Sequence, residues 1–410
     1  MNKNIKLAVA GAVLALSATA ANAGIIIPAG DWTLDINGNV NAYVTSSRTT
    51  GGNTIVGHGF GFYGTDANGQ RSNQGIGTGL LPSWLGFTGK TRQNDVDVEF
   101  TISLQPGVSA NDTSGDGAFG GTGSKFLNRQ TYVSFGDKSW GTIKLGKDLG
   151  VFASDAILND MTLLGVGSAG GSSGNGTNTT NGGIGTGYIY AAWKGQVAYT
   201  TPNMNGFQAT VALTNPNQWA SNGANELTGL TMRQDRLGVE GKASYSFAVN
   251  DVTGKVWVSG ASYDVTVPSN ISYTASVGDI GANVNVAGFG LTGYYYNGKG
   301  VGTTLLGYHG ADGANKRDSD GGYVQATYVL PTKTKVGVAY GISNLDLAAG
   351  DSLASTLVDS SERWTVGAYH PLTKHLNLVA EYNDIRSDAH LASVAEQKAR
   401  SMSLGAILFF

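Results

Sequence analysis

Apolar and polar residues alternate along most of this chain. Over residues 32–44, Trp, Leu, Ile and Val occupy even-numbered positions, while most odd-numbered positions hold Thr, Asp or Asn. Residues 96–104 repeat the pattern, with Asp97 and Glu99 between Val and Phe side chains. Because successive side chains of a strand point to opposite faces, each such segment predicts a β-strand with one apolar and one polar face.

Segments of this kind recur about sixteen times and are joined by connections of two lengths. They lie near 31–48, 80–90, 95–105, 125–136, 140–148, 188–201, 206–215, 235–247, 254–267, 271–286, 288–298, 321–331, 334–345, 362–370, 375–386 and 399–410. Short connections such as 137–139 alternate with long Gly-, Ser- and Asn-rich ones such as 109–124. This alternation of short turns and long loops is typical of outer-membrane barrels. The predicted fold is therefore all-β, a single 16-stranded antiparallel transmembrane β-barrel over residues 24–410.

The composition agrees with this fold and excludes several functions. The 410 residues include 62 glycines and no cysteine, and 13% of them are charged. Without cysteine the chain has no disulfide scaffold and no Cys-based zinc site. A formal net charge of −3 gives no reason to expect nucleic acid as a partner. A secreted Gly-rich β-solenoid adhesin is a remote alternative, but the internal repeat of about 20–30 residues that it requires is not found.

The first 23 residues have the pattern of a secretory signal peptide. Lys3 and Lys6 form a basic region, residues 7–18 are apolar, and residues 21–23 (Ala-Asn-Ala) supply the small side chains of a cleavage site. The apolar stretch is shorter than the length of about 20 residues that a membrane-spanning helix needs. We therefore expect residues 1–23 to be removed after export.

Three motifs that carry chemistry elsewhere lack the context they need in this chain. Gly170–Gly174 matches a nucleophile elbow, but it lies in a low-complexity stretch rather than between a strand and a helix. Asp112–Gly117 resembles the start of a calcium loop, yet Gly123 stands where a Glu is required. Asp97 and Glu99 share one strand face, which favours pore lining over paired-carboxylate catalysis. We expect no enzymatic activity, no cofactor and no metal.

Four stretches resemble the general porins of Gram-negative bacteria, of the betaproteobacterial type. They are a strand–turn–strand signature in 128–136 and 140–147, a hairpin in 197–207, a strand in 83–89, and a C-terminal strand ending in Phe410. The resemblance implies a homotrimer in the outer membrane, in contact with lipid and lipopolysaccharide. It also implies that small hydrophilic solutes and ions cross a lumen narrowed by the third long loop.

In this chain the constriction loop corresponds to residues 149–187. In the family, acidic residues on this loop face basic residues on the barrel wall, and the field between them filters solutes. The charged residues expected at the constriction are Asp148, Asp155, Asp160, Lys144, Lys194 and Arg129. Strict alternation would place Arg129 outside the barrel, so its inclusion depends on the resemblance and requires a strand irregularity.

Two departures from the family pattern weaken the basic wall. Trp84 and Thr88 stand where relatives tend to carry basic residues, and an expected Arg is replaced around Tyr190. With Asp97 and Glu99 also on the lumen side, we expect a weakly selective pore without strong anion selectivity. A substrate-selective sugar or organic-acid channel, with Trp84 as a stacking surface, is the alternative.

Overall fold

The computed structural model describes most of the chain outside its N-terminus and several loops. The described residues are 24–51, 55–57, 70–108, 127–169, 179–215, 236–266, 272–352 and 356–410. The predicted signal peptide (1–23), the calcium-like segment 112–117 and the elbow-like segment 170–174 lie outside them.

Nearly all regular structure in the described residues is β-strand. The strands are β1 (Ile25–Ala29), β2 (Trp32–Thr50), β3 (Gln70–Gly77), β4 (Trp84–Gln93), β5 (Val96–Gln105), β6 (Leu127–Asp137), β7 (Gly141–Leu149), β8 (Trp193–Thr200), β9 (Phe207–Thr214), β10 (Gly238–Val249), β11 (Val252–Thr266), β12 (Ser272–Val286), β13 (Phe289–Lys299), β14 (Asp318–Val329), β15 (Lys335–Leu345), β16 (Val358–Pro371), β17 (Leu376–Ala389) and β18 (Gln397–Phe409). Two short helices lie between β7 and β8, namely α1 (Ser154–Asn159) and a 3₁₀ helix (Met161–Leu164). None of the helices in the described ranges has the length and hydropathy that a membrane-spanning helix requires.

The long strand β2 closes the sheet into a barrel. Its second half pairs with β18 on one edge and β3 on the other, so Val44 lies opposite both Leu404 and Ile76. Its first half pairs with β1 and β4, so Ile36 lies opposite both Ile25 and Phe87. Because β3 and β4 are two parts of one wall strand and β1 prolongs the line of β18, the barrel has the 16 antiparallel strands predicted. Because the sheet closes on itself, the fold is not the β-solenoid considered as the alternative.

The alternation along each strand separates an apolar outside from a polar inside, as predicted. On β2, Val40 and Val44 are 56% and 57% exposed on the outer surface, whereas Asn39 and Asn41 are each 2% exposed. No other described part of the protein packs over the outward-pointing residues, while the inward-pointing ones contact other groups inside the barrel. The apolar outer surface is what a lipid environment requires.

Short turns gather at one rim of the barrel and long connections at the other. The β4–β5 turn is made by Asn94 and Asp95, both with positive φ (50° and 63°). The β12–β13 turn is made by Ala287 and Gly288, with φ of 48° and 84°. Two-residue turns with this backbone match the twist of paired strands, which explains their use at this rim. The two ends of the barrel are called the turn rim and the loop rim below.

Two strands begin four or more residues later than the sequence predicts. The strand expected over 80–90 begins at Trp84, because Pro82 has no N–H and residues 78–83 form an irregular connection from β3, itself an unpredicted strand. The strand expected over 188–201 begins at Trp193. Residues 188–191 (Tyr-Ile-Tyr-Ala) form a continuous apolar run, but they lie inside the barrel rather than in the wall.

Candidate channel constriction

The segment between β7 and β8 leaves the wall and folds into the barrel. The Gly150 N–H donates to the Ala192 carbonyl at 2.8 Å, so both ends of the segment leave the wall side by side. Residues 151–157 and 160–169 are all buried. We call the described residues 150–169 and 179–192 the inner loop; it extends five residues beyond the predicted 149–187, because the wall resumes only at Trp193.

Glu240 on β10 holds the start of the inner loop. Its Oε2 accepts hydrogen bonds from the N–H groups of Val151 (2.6 Å) and Phe152 (2.9 Å). Its Oε1 accepts from Lys194 Nζ at 2.6 Å and from the Tyr263 hydroxyl. Glu240 is fully buried and Lys194 only 3% exposed. Lys194 therefore points inward as its parity predicts, but it pairs with a wall carboxylate instead of facing the open lumen.

Glu381 on β17 holds the middle of the inner loop in a similar way. Its Oε2 accepts from the N–H groups of Val166 (2.9 Å) and Gly167 (2.8 Å), and its Oε1 accepts from the Tyr369 hydroxyl (2.6 Å). A Cβ at Gly165 would lie 2.0 Å from Oε1, so glycine is required for this close approach. Bonds from N–H groups to a carboxylate are among the stronger protein hydrogen bonds.

Asp155 on α1 faces two basic residues of the wall. One carboxylate oxygen lies 2.9 Å from Lys242 Nζ on β10, and the other contacts Lys255 Nζ on β11. Acidic loop and basic wall therefore meet as the family resemblance implies. The bases are Lys242 and Lys255, however, whereas the predicted Lys144 contacts Asp148, four residues along its own strand.

Asp160 lies between the two helices of the inner loop and has a structural role. It accepts a hydrogen bond from the Thr162 N–H (2.9 Å), which caps the 3₁₀ helix, and one from the Tyr188 hydroxyl (2.9 Å). Arg363 on β16 approaches it at 3.5 Å. Asp160 is 2% exposed, so its charge is enclosed among these partners.

The inner loop reaches the opposite wall and divides the lumen. The Tyr43 hydroxyl on β2 donates to the Leu164 carbonyl at 2.6 Å. The Leu80 N–H, on the connection before β4, donates to the Gly165 carbonyl at 2.8 Å. With anchors on β10, β11, β16, β17 and β2, the inner loop leaves its open space against β4–β9.

That open space is a cavity of about 530 Å³ with two unlike sides. The inner loop and the connection before β4 contribute mostly apolar residues, among them Leu80, Leu81, Ile157, Leu158, Leu163 and Ile184. The wall contributes polar and charged residues, among them Gln105, Arg129, Gln130, Lys144, Asp148 and Gln196. The lining also includes Thr200, next to the turn rim, and Leu305, which pairs with Tyr190 of the inner loop.

Arg129 enters this cavity through a β-bulge. Between β5 and β6, Ser103 pairs with Gln130 while Leu104 pairs with Asn128, which leaves Arg129 without an opposite residue. A β-bulge changes the direction in which the side chain of its extra residue points. This irregularity reconciles the family resemblance, which places an Arg at the constriction, with the alternation, which would place it outside.

The remaining predicted residues occupy two levels of the lumen. Trp84 lines the cavity. Thr88, four residues nearer the turn rim, shares a 3.0 Å hydrogen bond with Thr101. Asp97 and Glu99 lie closest to the turn rim and are remote from the inner loop in the pairing register.

Asp97 and Glu99 each form an ion pair with a basic residue of β4. Asp97 lies 2.7 Å from Arg92, and Glu99 lies 3.5 Å from Lys90. These groups therefore lie towards the turn rim and are not among the residues that line the cavity.

Sequence reasoning missed the wall residues that anchor the inner loop, Glu240, Lys242, Lys255, Arg363 and Glu381. Their shared signal is a charge at an inward position. On β10, for example, Glu240 and Lys242 alternate with Val239, which is 54% exposed outside. In the part of the chain that the structure describes, no group of three or more His, Asp or Glu side chains could hold a metal ion.

Comparison with known families decides what this barrel is. A profile of Gram-negative porins matches residues 8–390. The chain belongs to the Gram-negative porin family. This porin is therefore a protein of the bacterial outer membrane, and its barrel and inner loop are those of an outer-membrane channel. No curated protein sequence matches it.

Solved outer-membrane proteins share the porin's fold at low sequence identity. The channel DcaP of Acinetobacter baumannii superposes with a TM-score of 0.69 at 16% identity, covering 95% of this chain and 100% of that one. An anion-selective porin from Comamonas acidovorans has a TM-score of 0.60 at 16% identity, covering 92% and 100%. The trimer form of OmpT of Vibrio cholerae has a TM-score of 0.55 at 13% identity, covering 92% and 99%.

Proposed function

We propose that this porin is a water-filled channel for passive diffusion of small hydrophilic solutes and ions, that it is weakly ion-selective, and that it catalyses no reaction. The observation that carries the proposal is the cavity of about 530 Å³ left between the inner loop and the wall. Lining side chains such as Gln130, Gln196 and Lys144 offer polar contacts to a hydrated solute. Selectivity then depends on width and on the charges at the narrow section.

Weak ion selectivity is supported by the way these charges are paired. Asp155 contacts Lys242 and Lys255, and Asp148 contacts Lys144. Opposite charges in contact cancel much of each other's field at the distance of a passing ion, and salt screens the remainder over about 8–10 Å. Arg129 lines the cavity without an ion pair among the described residues, which favours a slight preference for anions over a strong one.

A homotrimer surrounded by lipid and lipopolysaccharide, with residues 1–23 removed, completes the proposal. OmpT of Vibrio cholerae, which has the same fold, is known in a trimer form. The barrel's outer surface also carries many exposed apolar side chains, including Ile76 at 63%. Such a surface needs lipid or a second copy of the chain to cover it.

The test is the reversal potential of single channels in planar bilayers under a salt gradient. We expect a value near zero, displaced slightly towards anions. Asp155→Asn should displace it further in that direction, because Lys242 and Lys255 lose their counter-charge. Asp318→Asn is the matched control, since Asp318 pairs with Lys299 at the loop rim outside the cavity and should change little.

Two results would count against the proposal in different ways. If the folded protein forms no ion-permeable channels, it is not a diffusion porin. If Asp155→Asn and Asp318→Asn give the same reversal potential as the wild type, the paired charges of the inner loop do not govern ion preference.

A further inference from the structure

The inner loop presents an apolar surface to a water-filled space. Leu158, on the last turn of α1, is 46% exposed and lines the cavity. Leu81 and Leu163 border the same side, and all three are aliphatic. Apolar surface in contact with water is a place where a solute with an apolar body gains free energy by covering it.

Of the basic residues that line the cavity in the described part of the chain, one has no ion pair. Lys144 is held by Asp148 and Lys242 by Asp155. Arg129 has no such partner among the described residues, and the bulge between β5 and β6 directs it into the cavity. The planar guanidinium matches a carboxylate in a two-point hydrogen-bonded geometry.

We infer that the constriction contains a binding subsite for amphipathic organic anions, namely carboxylates with an aromatic or aliphatic body. The carboxylate binds Arg129, and the body lies against Leu158 and its apolar neighbours. This inference rests on the proposed channel function and specifies a solute class for it. The cavity volume of about 530 Å³ is ample for a small molecule and falls within the range of about 300–1,000 Å³ that is usual for ligand sites.

The same surfaces fit the other solute classes less well. A sugar needs hydrogen-bonding groups around most of its edge. The polar wall and Trp84 can supply hydrogen-bonding and stacking groups on one side, but Leu81, Leu158 and Leu163 leave the hydroxyl groups on the other side without partners. An inorganic anion uses only Arg129 and gains nothing from the apolar side. A neutral aromatic compound uses only the apolar side. Only an amphipathic anion uses both.

The experiment measures block of the chloride current through the full-length porin in planar bilayers. The added solutes are benzoate, acetate, benzamide and glucose. We expect benzoate to reduce the current in a saturable way, at concentrations about tenfold lower than acetate or benzamide, because each of these lacks one of the two contacts. Glucose should have no comparable effect.

Two variants separate the contacts, and each has a conservative partner. Arg129→Gln should raise the benzoate concentration for half-block about tenfold, and Arg129→Lys less, because lysine keeps the charge and loses the planar fork. Leu158→Asn should reduce the advantage of benzoate over acetate, while Leu158→Met should preserve it. Leu158 is half exposed, so both of its replacements should leave the barrel intact.

Failure of the subsite is distinguishable from failure of the channel. An ordinary chloride conductance with equal block by benzoate and acetate overturns the subsite alone. Block by glucose but not benzoate also overturns it, in favour of a sugar channel. Benzoate block that is unchanged in both Arg129→Gln and Leu158→Asn shows that these residues do not form the site. Absence of any conductance overturns the proposed function itself.

Discussion

Glu381→Ala removes the wall carboxylate that receives two N–H groups of the inner loop, at 2.9 and 2.8 Å. A buried N–H left without a partner costs about 1–3 kcal/mol, so the anchored position loses about 2–6 kcal/mol relative to a displaced one. Since about 1.4 kcal/mol corresponds to a factor of ten, the displaced population rises more than tenfold even at the lower bound. The constriction of the variant should therefore be wider on average, and its width should fluctuate more.

Single-channel recording measures this change directly. We expect Glu381→Ala to show a larger mean conductance and more noise in the open state, and the amides of Val166 and Gly167 to exchange hydrogen faster. Glu381→Gln should be intermediate, because the amide oxygen can still accept both N–H groups while the negative charge is lost.

Asp279→Ala is the matched control for this experiment. Asp279 is also buried, and it also accepts from an N–H group, that of Ser259 (2.7 Å), and from the Tyr294 hydroxyl (3.1 Å). Both partners are on wall strands, and the Ser259 hydroxyl that accepts the Ala153 N–H of the inner loop is retained. Asp279→Ala should therefore lower stability while adding less open-channel noise than Glu381→Ala. Equal noise in the two variants, or wild-type conductance in Glu381→Ala, would refute the assignment of Glu381 as an anchor of the inner loop.

Two further changes test other charged groups. Lys194→Met leaves the carboxylate of Glu240 without its counter-ion in a buried site, which should cost about 3–5 kcal/mol and lower the temperature at which the folded band is lost in detergent gels; an unchanged temperature would contradict the pairing. At the loop rim, hydrogen bonds from Arg317 hold the pKa of Asp351 below its usual range. The Arg317–Asp351 ion pair therefore stabilises the loops at neutral pH. Its contribution is lost as the pH falls through that lowered pKa, below about pH 4. Asp351→Asn should remove the acid dependence of hydrogen exchange in residues 346–352, and a persistent dependence would point to another group.

The wall could be predicted from sequence because its signal is local. Each strand carries its own alternation, and most predicted boundaries fall within three residues of the observed ones, as for 206–215 against Phe207–Thr214. The prediction was wrong at residues 188–191, where an apolar run precedes the alternation of β8 but does not belong to the wall. Tyr188 and Tyr190 look like strand residues, but they pack inside the barrel.

The anchors of the inner loop could not be predicted because they join distant parts of the chain. Glu240 meets Val151 across 89 positions, and Glu381 meets Val166 across 215. Parity correctly directs Lys194 inward. Whether it faces water or a carboxylate depends on where the inner loop lies, and no neighbouring residue carries that information.

The two carboxylate anchors also bear on how the barrel selects its register during assembly. A slip of two residues between neighbouring strands keeps every apolar side chain outside, so the alternation cannot distinguish it from the native pairing. Such a slip would move Glu381 by about 7 Å along the strand, far beyond hydrogen-bonding distance of the Val166 and Gly167 N–H groups that it now receives. The inner loop thus penalises slips that the lipid-facing surface tolerates. The segment that narrows the channel therefore also favours the native strand register of the wall around it.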